Sequence, residues 1–287
     1  MAILLEAELS LFRNDFIKRN IGRYSTTPRL YAGDIKNLST KPVYESPEEL
    51  AIDLIEGVNR ARKGDKYKPR TRNRFVFSTR AFLRFLERKR KIDESTLNSF
   101  LPCLDCEKVK EEALPTIAYS EFEKIMGVIP SGTYLGSRDR AFFYLIANEG
   151  LRGSEVVNLA HGCLKEDRGN LTVEVQGKYK IRTLTLNTDT TKEVKNYLQQ
   201  KKQRYVELPL EPLFSNKKRD KPICDRQLRR KFQGYAEKAG VKAELHYLRN
   251  SYMKALVDSD KSAEELTELT GIGIEHVKTI IRSFSKN

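Results

Sequence analysis

A 32-residue window from Arg60 to Lys91 holds fourteen basic side chains and only two acids, Asp65 and Glu87, a net charge of +12. Charge this dense and one-signed folds only around an apolar stripe, and one runs through it. Phe75, Phe82 and Leu86 recur at helical spacing, while Arg80, Arg84 and Arg88 fall on a different stripe. The spacing predicts an amphipathic helix with a basic side, opening near Pro69, and not a disordered tail. Solvated faces usually mix signs. A single-signed face implies a polyanion partner, because each Lys or Arg placed on a phosphate releases condensed counterions. An anionic membrane would answer to the same charge, but the apolar stripe reads as packing material for a small helical bundle. Nucleic acid is therefore the expected partner and no membrane is. The candidate contacts are Lys68, Arg70, Arg72, Arg74, Arg80, Arg84 and Arg88.

The window carries most of the excess of the whole chain, which is +14 over 287 residues. Hydrophobic residues make up 39% and aromatics 9%, with no Trp, enough for two modest cores and so for about two domains. No apolar run approaches the ~18 residues of a membrane span. The first apolar stretch contains Glu6 and Glu8, unlike a secretory signal, so the chain reads as soluble and cytoplasmic. Cys103 and Cys106 form a C-x-x-C, half of a zinc site, but no second pair completes it. With Cys163 and Cys224 they read as isolated reduced thiols.

The rest of the chain is mostly helical in pattern. Residues 1–45 are an N-terminal extension in which Leu4 to Ile17 fits a helix and Ser25 through Pro42 reads as loop. Ser46-Pro-Glu-Glu49 starts a helix with acids in its first turn, Gly64 breaks it, and a short helix spans Glu94 to Leu101. Residues 46–101 thus form a small, basic, all-helical domain. Residues 102–115 (PCLDCEKVKEEALP) have Pro at both ends and charge between, as in a linker. In residues 116–287, Ser120-Glu-Phe-Glu123 has the S-x-x-E form of a capping box, and Arg138 to Glu149 is an apolar helix ended by Gly150. Leu171–Val175 and Ile181–Leu186 alternate as two strands of a hairpin. Helices return at Thr191–Arg204, Asp225–Ala239, Tyr247–Val257, Ala263–Leu269 and Ile274–Ser285. The fold class is mainly α with a small antiparallel β element.

Four motifs line up. Gly150-Leu-Arg152-Gly-Ser-Glu155 puts an Arg at a helix start with a Glu three residues on. Lys178 falls in the hairpin turn. His246-Tyr-Leu-Arg249 sets His and Arg at i and i+3, 94 positions after Arg152. A last helix follows the Leu269-Thr-Gly271 turn. Over residues 46–287 this order resembles the tyrosine recombinases, the phage-integrase family of DNA breaking and rejoining enzymes. The resemblance implies a helical core-binding domain, a linker and a mixed, mostly α catalytic domain closing on duplex DNA. It implies double-stranded DNA at a specific site as partner, a dimer per site, a tetramer in synapsis, and a bacterial or archaeal nucleoid location. No metal or nucleotide cofactor is implied, since a covalent intermediate stores the bond energy.

In that family a tyrosine hydroxyl attacks a phosphodiester, leaving a 3′-phosphotyrosyl bond. Negative charge gathers on the nonbridging oxygens, and two guanidiniums fit it, so the resemblance assigns Arg152 and Arg249 to the clamp. Lys178 takes the general acid's place, with Lys180 as competitor, His246 assists proton transfer or holds the phosphate, and Glu155 buttresses. His161, with no motif partner, reads as structural or surface rather than catalytic. The match breaks at the nucleophile, because no Tyr follows Tyr252 and Ile272 stands where the family has His after Gly. Counting from His246 reaches Ile281. Val277, Ile280, Ile281 and Phe284 lie at i, i+3, i+4 and i+7, which puts Phe284 on the packed face of the last helix. Phe284 is either plain core packing or, as the resemblance implies, the residue in the nucleophile's place, with His276, eight residues before it, as substitute for the second His. Either Phe284 replaces a Tyr, leaving a recombinase deficient in cleavage, or the chain is a catalytically degenerate accessory DNA-binding protein of recombinase fold.

Overall fold

The computed structural model describes residues 3–19, 27–110, 112–177, 181–202, 210–215 and 222–284. The chain divides into two compact units, Met1–Lys110 and Glu111–Asn287, each with a core of its own.

The first unit runs β1 (Ile3–Leu4), α1 (Leu5–Arg19), α2 (Thr27–Leu38), β2 (Val43–Tyr44), α3 (Pro47–Lys63), α4 (Pro69–Arg88) and α5 (Glu94–Phe100). Its two short strands pair antiparallel. Helix α3 starts as the sequence predicts: Ser46 Oγ accepts from the Glu49 amide at 3.2 Å and Pro47 takes the first turn, where its missing N–H costs nothing. Phe75, Phe82 and Leu86 of α4 are buried against α2 and α3, as their spacing requires. Two readings change. Thr27–Leu38, expected as loop, is helical, with Pro28 in its first turn and Ala32, Ile35 and Leu38 buried on one face. The described residues before Ser46 contribute Ile3, Leu5, Leu9, Phe12, Ala32, Ile35, Leu38 and Tyr44 to the same core as α3 and α4. Phe12 of α1 meets Phe82 and Phe85 edge-on at 5.3 and 5.5 Å, because α3 and α4 alone leave one side of that aromatic cluster to water. The start of the linker also belongs here: Leu104 is fully buried, and Asn73 of α4 exchanges hydrogen bonds of 2.8 and 2.9 Å with the Glu107 backbone.

The second unit runs α6 (Tyr119–Gly127), α7 (Tyr134–Ala147), α8 (Gly153–Val157), β3 (Leu164–Asp167), β4 (Asn170–Gln176), β5 (Ile181–Thr185), α9 (Thr188–Lys202), α10 (Asp225–Lys238), α11 (Leu245–Asp258), α12 (Ala263–Thr270) and α13 (Ile274–Phe284). Helix α7 is buried on most of its surface, with Ala141, Phe142, Phe143, Leu145 and Ile146 in the core, and it packs against α9 and α11 as the central element. The hairpin is a three-stranded antiparallel sheet in the order β3-β4-β5, with Leu171, Val173 and Val175 alternating inward. Strand β3 escapes the sequence pattern because Leu164-Lys-Glu-Asp167 has one apolar residue to alternate. The capping box is displaced by two: α6 begins at Tyr119, and Glu121, not Glu123, accepts from the Ala118 amide at 3.1 Å. A second apolar cluster joins Met253, Leu266, Ile272, Val277, Ile280 and Phe284.

Candidate active site

Local backbone chemistry sets Arg152 in place. Gly150 ends the turn after α7 at φ 63°, a left-handed conformation that suits glycine. Arg152 follows as the N-cap of α8, and Glu155 at the third helical position reaches back to accept the Arg152 amide at 2.8 Å. Gly153 leaves room for Asp225, whose Oδ1 would lie 2.3 Å from an added Cβ. The Gly-Leu-Arg-Gly-Ser-Glu spacing is thus a turn, a cap and a back-capping carboxylate.

Three arginines gather on that carboxylate. Arg152 Nη1 donates to Glu155 Oε1 at 2.6 Å, and Arg182 of β5 donates to both oxygens at 3.2 and 2.9 Å. Arg249 of α11 stands off at 3.8 Å, donating instead to the Gly150 carbonyl and, at 3.1 Å, to that of Thr270. Arg152 Nη2 reaches the Gly271 carbonyl at 3.4 Å. Burial alone would raise the Glu155 carboxyl, but the Arg182 hydrogen bonds, the Arg152 amide and both guanidinium charges outweigh it and hold the group below the usual carboxylate range. Burial, and next to it the Arg152 charge, push Arg249 down from the ordinary arginine value. An anion placed beside the two guanidiniums would offset that repulsion. Arg152 is the most accessible of the three, with 35% of its side chain exposed.

The remaining candidates are less tightly drawn in. His246 sits one turn before Arg249 on α11, exposed, with Nδ1 3.3 Å from Glu244 Oε2 and its ring edge-on to Tyr247. Lys178 and Lys180 lie outside the described residues. His276 is on the exposed face of α13, while Phe284 is buried in the second apolar cluster with Val277 and Ile280, as a packing residue is. His161 touches the buried Lys201 ammonium, which also donates to the Pro212 and Leu213 carbonyls at 3.0 and 3.1 Å. Cys103 and Cys106 are free, exposed thiols. Sequence spacing does not point to Arg182. Its one signal, a basic residue within an alternating strand, is too common to single it out.

Glu149, beside this turn, is 8% exposed, and its Oε1 accepts the Asn187 amide at 2.9 Å. Burial raises its pKa above 4.5. A carboxyl raised in the folded state stabilises below its unfolded pKa and loses that contribution as pH climbs through the folded one. Glu149→Gln keeps the acceptor and removes the charge. Thermal unfolding should therefore show a midpoint several degrees higher at pH 7 and none higher at pH 4.

The basic helix has partners that the window hides. Arg74 forks onto buried Asp34 at 2.9 and 2.8 Å, and Arg72 pairs with Glu107 at 2.8 Å. Arg80 meets Asp105 at 3.3 Å and Arg88 meets Asp15 at 3.2 Å, both as exposed pairs. Lys68, Arg70 and Arg84 are exposed without an ion-pair partner among the described residues. Of the seven candidate contacts, Arg72 and Arg74 are thus engaged by carboxylates within the unit's own fold. The acids come from α1, α2 and the chain after α5, which a local count does not include.

Residues 116–277 match the phage integrase family, and the chain belongs to it. It is 27% identical over 251 residues to tyrosine recombinase XerA of Pyrococcus furiosus, covering 87% of this chain and 80% of that protein. The fold is similar to that of the XerH site-specific recombinase bound to palindromic difH substrate in a post-cleavage complex. That likeness has a TM-score of 0.66 at 16% identity over 92% of this chain and 76% of the other. Lambda integrase bound to DNA superposes with a TM-score of 0.65 at 13% identity over 99% of each chain.

Proposed function

We propose that this chain is a site-specific recombinase or integrase of a mobile element that binds duplex DNA, and that it is deficient in cleavage. The observation that carries the reading is the convergence of Arg152 and Arg249 on the turns at Gly150 and Gly271, with Glu155 saturated behind them. In this reading the two guanidiniums hold the nonbridging oxygens of the scissile phosphate, where charge builds in the transition state. Lys178 protonates the leaving 5′ oxygen, His246 assists, and the nucleophile's place falls on α13 at Phe284, with His276, eight residues before it, in place of the family's second His. The working assembly is a dimer per site and a tetramer on two sites. No resident cofactor is needed for a reaction that conserves bond energy in a phosphotyrosyl ester. The burial of Phe284 favours a second reading, an accessory DNA-binding protein with a degenerate site.

Duplex binding measured by fluorescence anisotropy across a salt series tests the DNA assignment common to both. Charge reversal at Lys68, Arg70 and Arg84 together should weaken binding at least about tenfold and flatten the salt slope by roughly 0.9 for each phosphate no longer neutralised. Arg74→Ala should instead lower the unit's stability by about 2 kcal/mol, because it strips a charge-assisted fork from buried Asp34. Unchanged affinity after the triple reversal would remove the DNA from this face.

A further inference from the structure

We propose that Arg182 is a positioning residue of this site, keeping the two clamp arginines aimed outward by occupying Glu155 from behind. The inference rests on the anion site described above and adds a residue to it.

A carboxylate offers about four lone-pair directions. At Glu155 the Arg152 amide and Nη1 take two, one on each oxygen, and the Arg182 fork takes one more on each. None is left for Arg249, which stays at 3.8 Å as a long ion pair with Glu155 and is held by carbonyls. Without Arg182, Arg249 closes onto Glu155 and the clamp folds in on its own buttress. Arg182 also raises the cluster from a net +1 to a net +2. Its side chain is 5% exposed, so it does not itself meet a ligand, and it acts through its neighbours.

The guanidinium underlies the second turn as well. A Cβ on Gly271 would lie 2.8 Å from Arg182 Nη1, and Gly271, at φ 62°, gives its carbonyl to Arg152. The same side chain thus backs both surfaces that hold Arg152. Its Nε is buried with no acceptor among the described residues.

Sulfate, a tetrahedral dianion with no titration near neutral pH, is the probe, with chloride matched for ionic strength. The full chain is titrated and the Nε–H resonances of Arg152 and Arg249 are followed by NMR. The parent should bind with shifts at both. Arg182→Gln should weaken sulfate at least about tenfold, and Arg182→Lys should recover part of the loss, since an ammonium keeps the charge without the fork. In a Glu155→Gln background the same Arg182→Gln change should cost less than about a third of that factor, as expected if Arg182 works through the carboxylate. Equal losses in both backgrounds would make Arg182 a bare charge and overturn the positioning role. Parent binding that Arg182→Gln leaves intact would overturn it as well. Absence of sulfate binding in the parent would overturn both this inference and the reading of the site. Circular dichroism follows the fold of each variant, and Arg182→Lys carries the comparison where Arg182→Gln does not fold.

Discussion

Offered a suicide duplex carrying its recombination site, this 287-residue chain is expected to give no denaturation-resistant protein–DNA species, whereas a tyrosine restored on α13 is expected to give one. The chemistry needs a hydroxyl, and the last tyrosine in the sequence is Tyr252. That ring is committed elsewhere: it packs on Gly150, and burial followed by the Glu149 charge raises its pKa, the wrong direction for a nucleophile. Phe284 differs from the required residue by a single oxygen. In Phe284→Tyr that oxygen enters an apolar cluster where an unpaired hydroxyl costs about 1–3 kcal/mol, which favours the end of α13 turning outward and delivering it. Ile281→Tyr is the companion variant, because Ile281 is half-buried on the same helix and is where counting from His246 arrives. An adduct with Phe284→Tyr establishes the recombinase reading and the position. An adduct with Ile281→Tyr alone keeps the enzyme and leaves Phe284 as packing. Duplex binding without an adduct in either variant leaves the accessory binder, and an adduct from the parent chain would sink the prediction outright.

Gly150→Ala should damage the second unit severely for a single added methyl. The residue sits at φ 63°, where an L side chain costs about 1–2 kcal/mol. The new Cβ would also stand 2.2 and 2.3 Å from two ring carbons of Tyr252, distances at which the atoms overlap. A loss of at least about 3 kcal/mol follows, roughly 10 °C in the unfolding midpoint for a unit of this size. The Gly150 carbonyl holds Arg249, so the shift that relieves the clash also loosens the clamp. Adding Tyr252→Ala removes the clash and leaves the backbone strain. The double variant should therefore recover part of the lost midpoint, provided the cavity left by the ring is partly open. The adjoining 390 Å³ pocket lined by Tyr119, Phe122 and Tyr252 makes it so. A Gly150→Ala protein melting within a degree of its parent would contradict the argument.

Much of this is legible along the chain because it is written at helical or alternating spacing. The α4 stripe, the Ser46 start of α3, the buried α7 and the β4–β5 alternation all follow from residues within one or two turns of each other. So do the cap geometry of Arg152 and Glu155 and the i, i+3 pairing of His246 with Arg249. Helix α2 escapes for a local reason too: Pro28 looks like a loop signal, though a first helical turn accepts it.

What only the tertiary structure decided lies between residues far apart in sequence. Asp34 and Glu107 reach α4 across 40 and 35 positions, turning part of an apparent DNA-binding face into internal ion pairs. Phe12 completes a core whose other rings, Phe82 and Phe85, come from a helix much later in the chain. Arg182 comes to Glu155 from a strand, and Arg249 from a helix far downstream, so that one carboxylate arranges three charges. Periodicity tells which face of an element is buried; which charges neutralise one another depends on chain closure in space, and local spacing carries no trace of that.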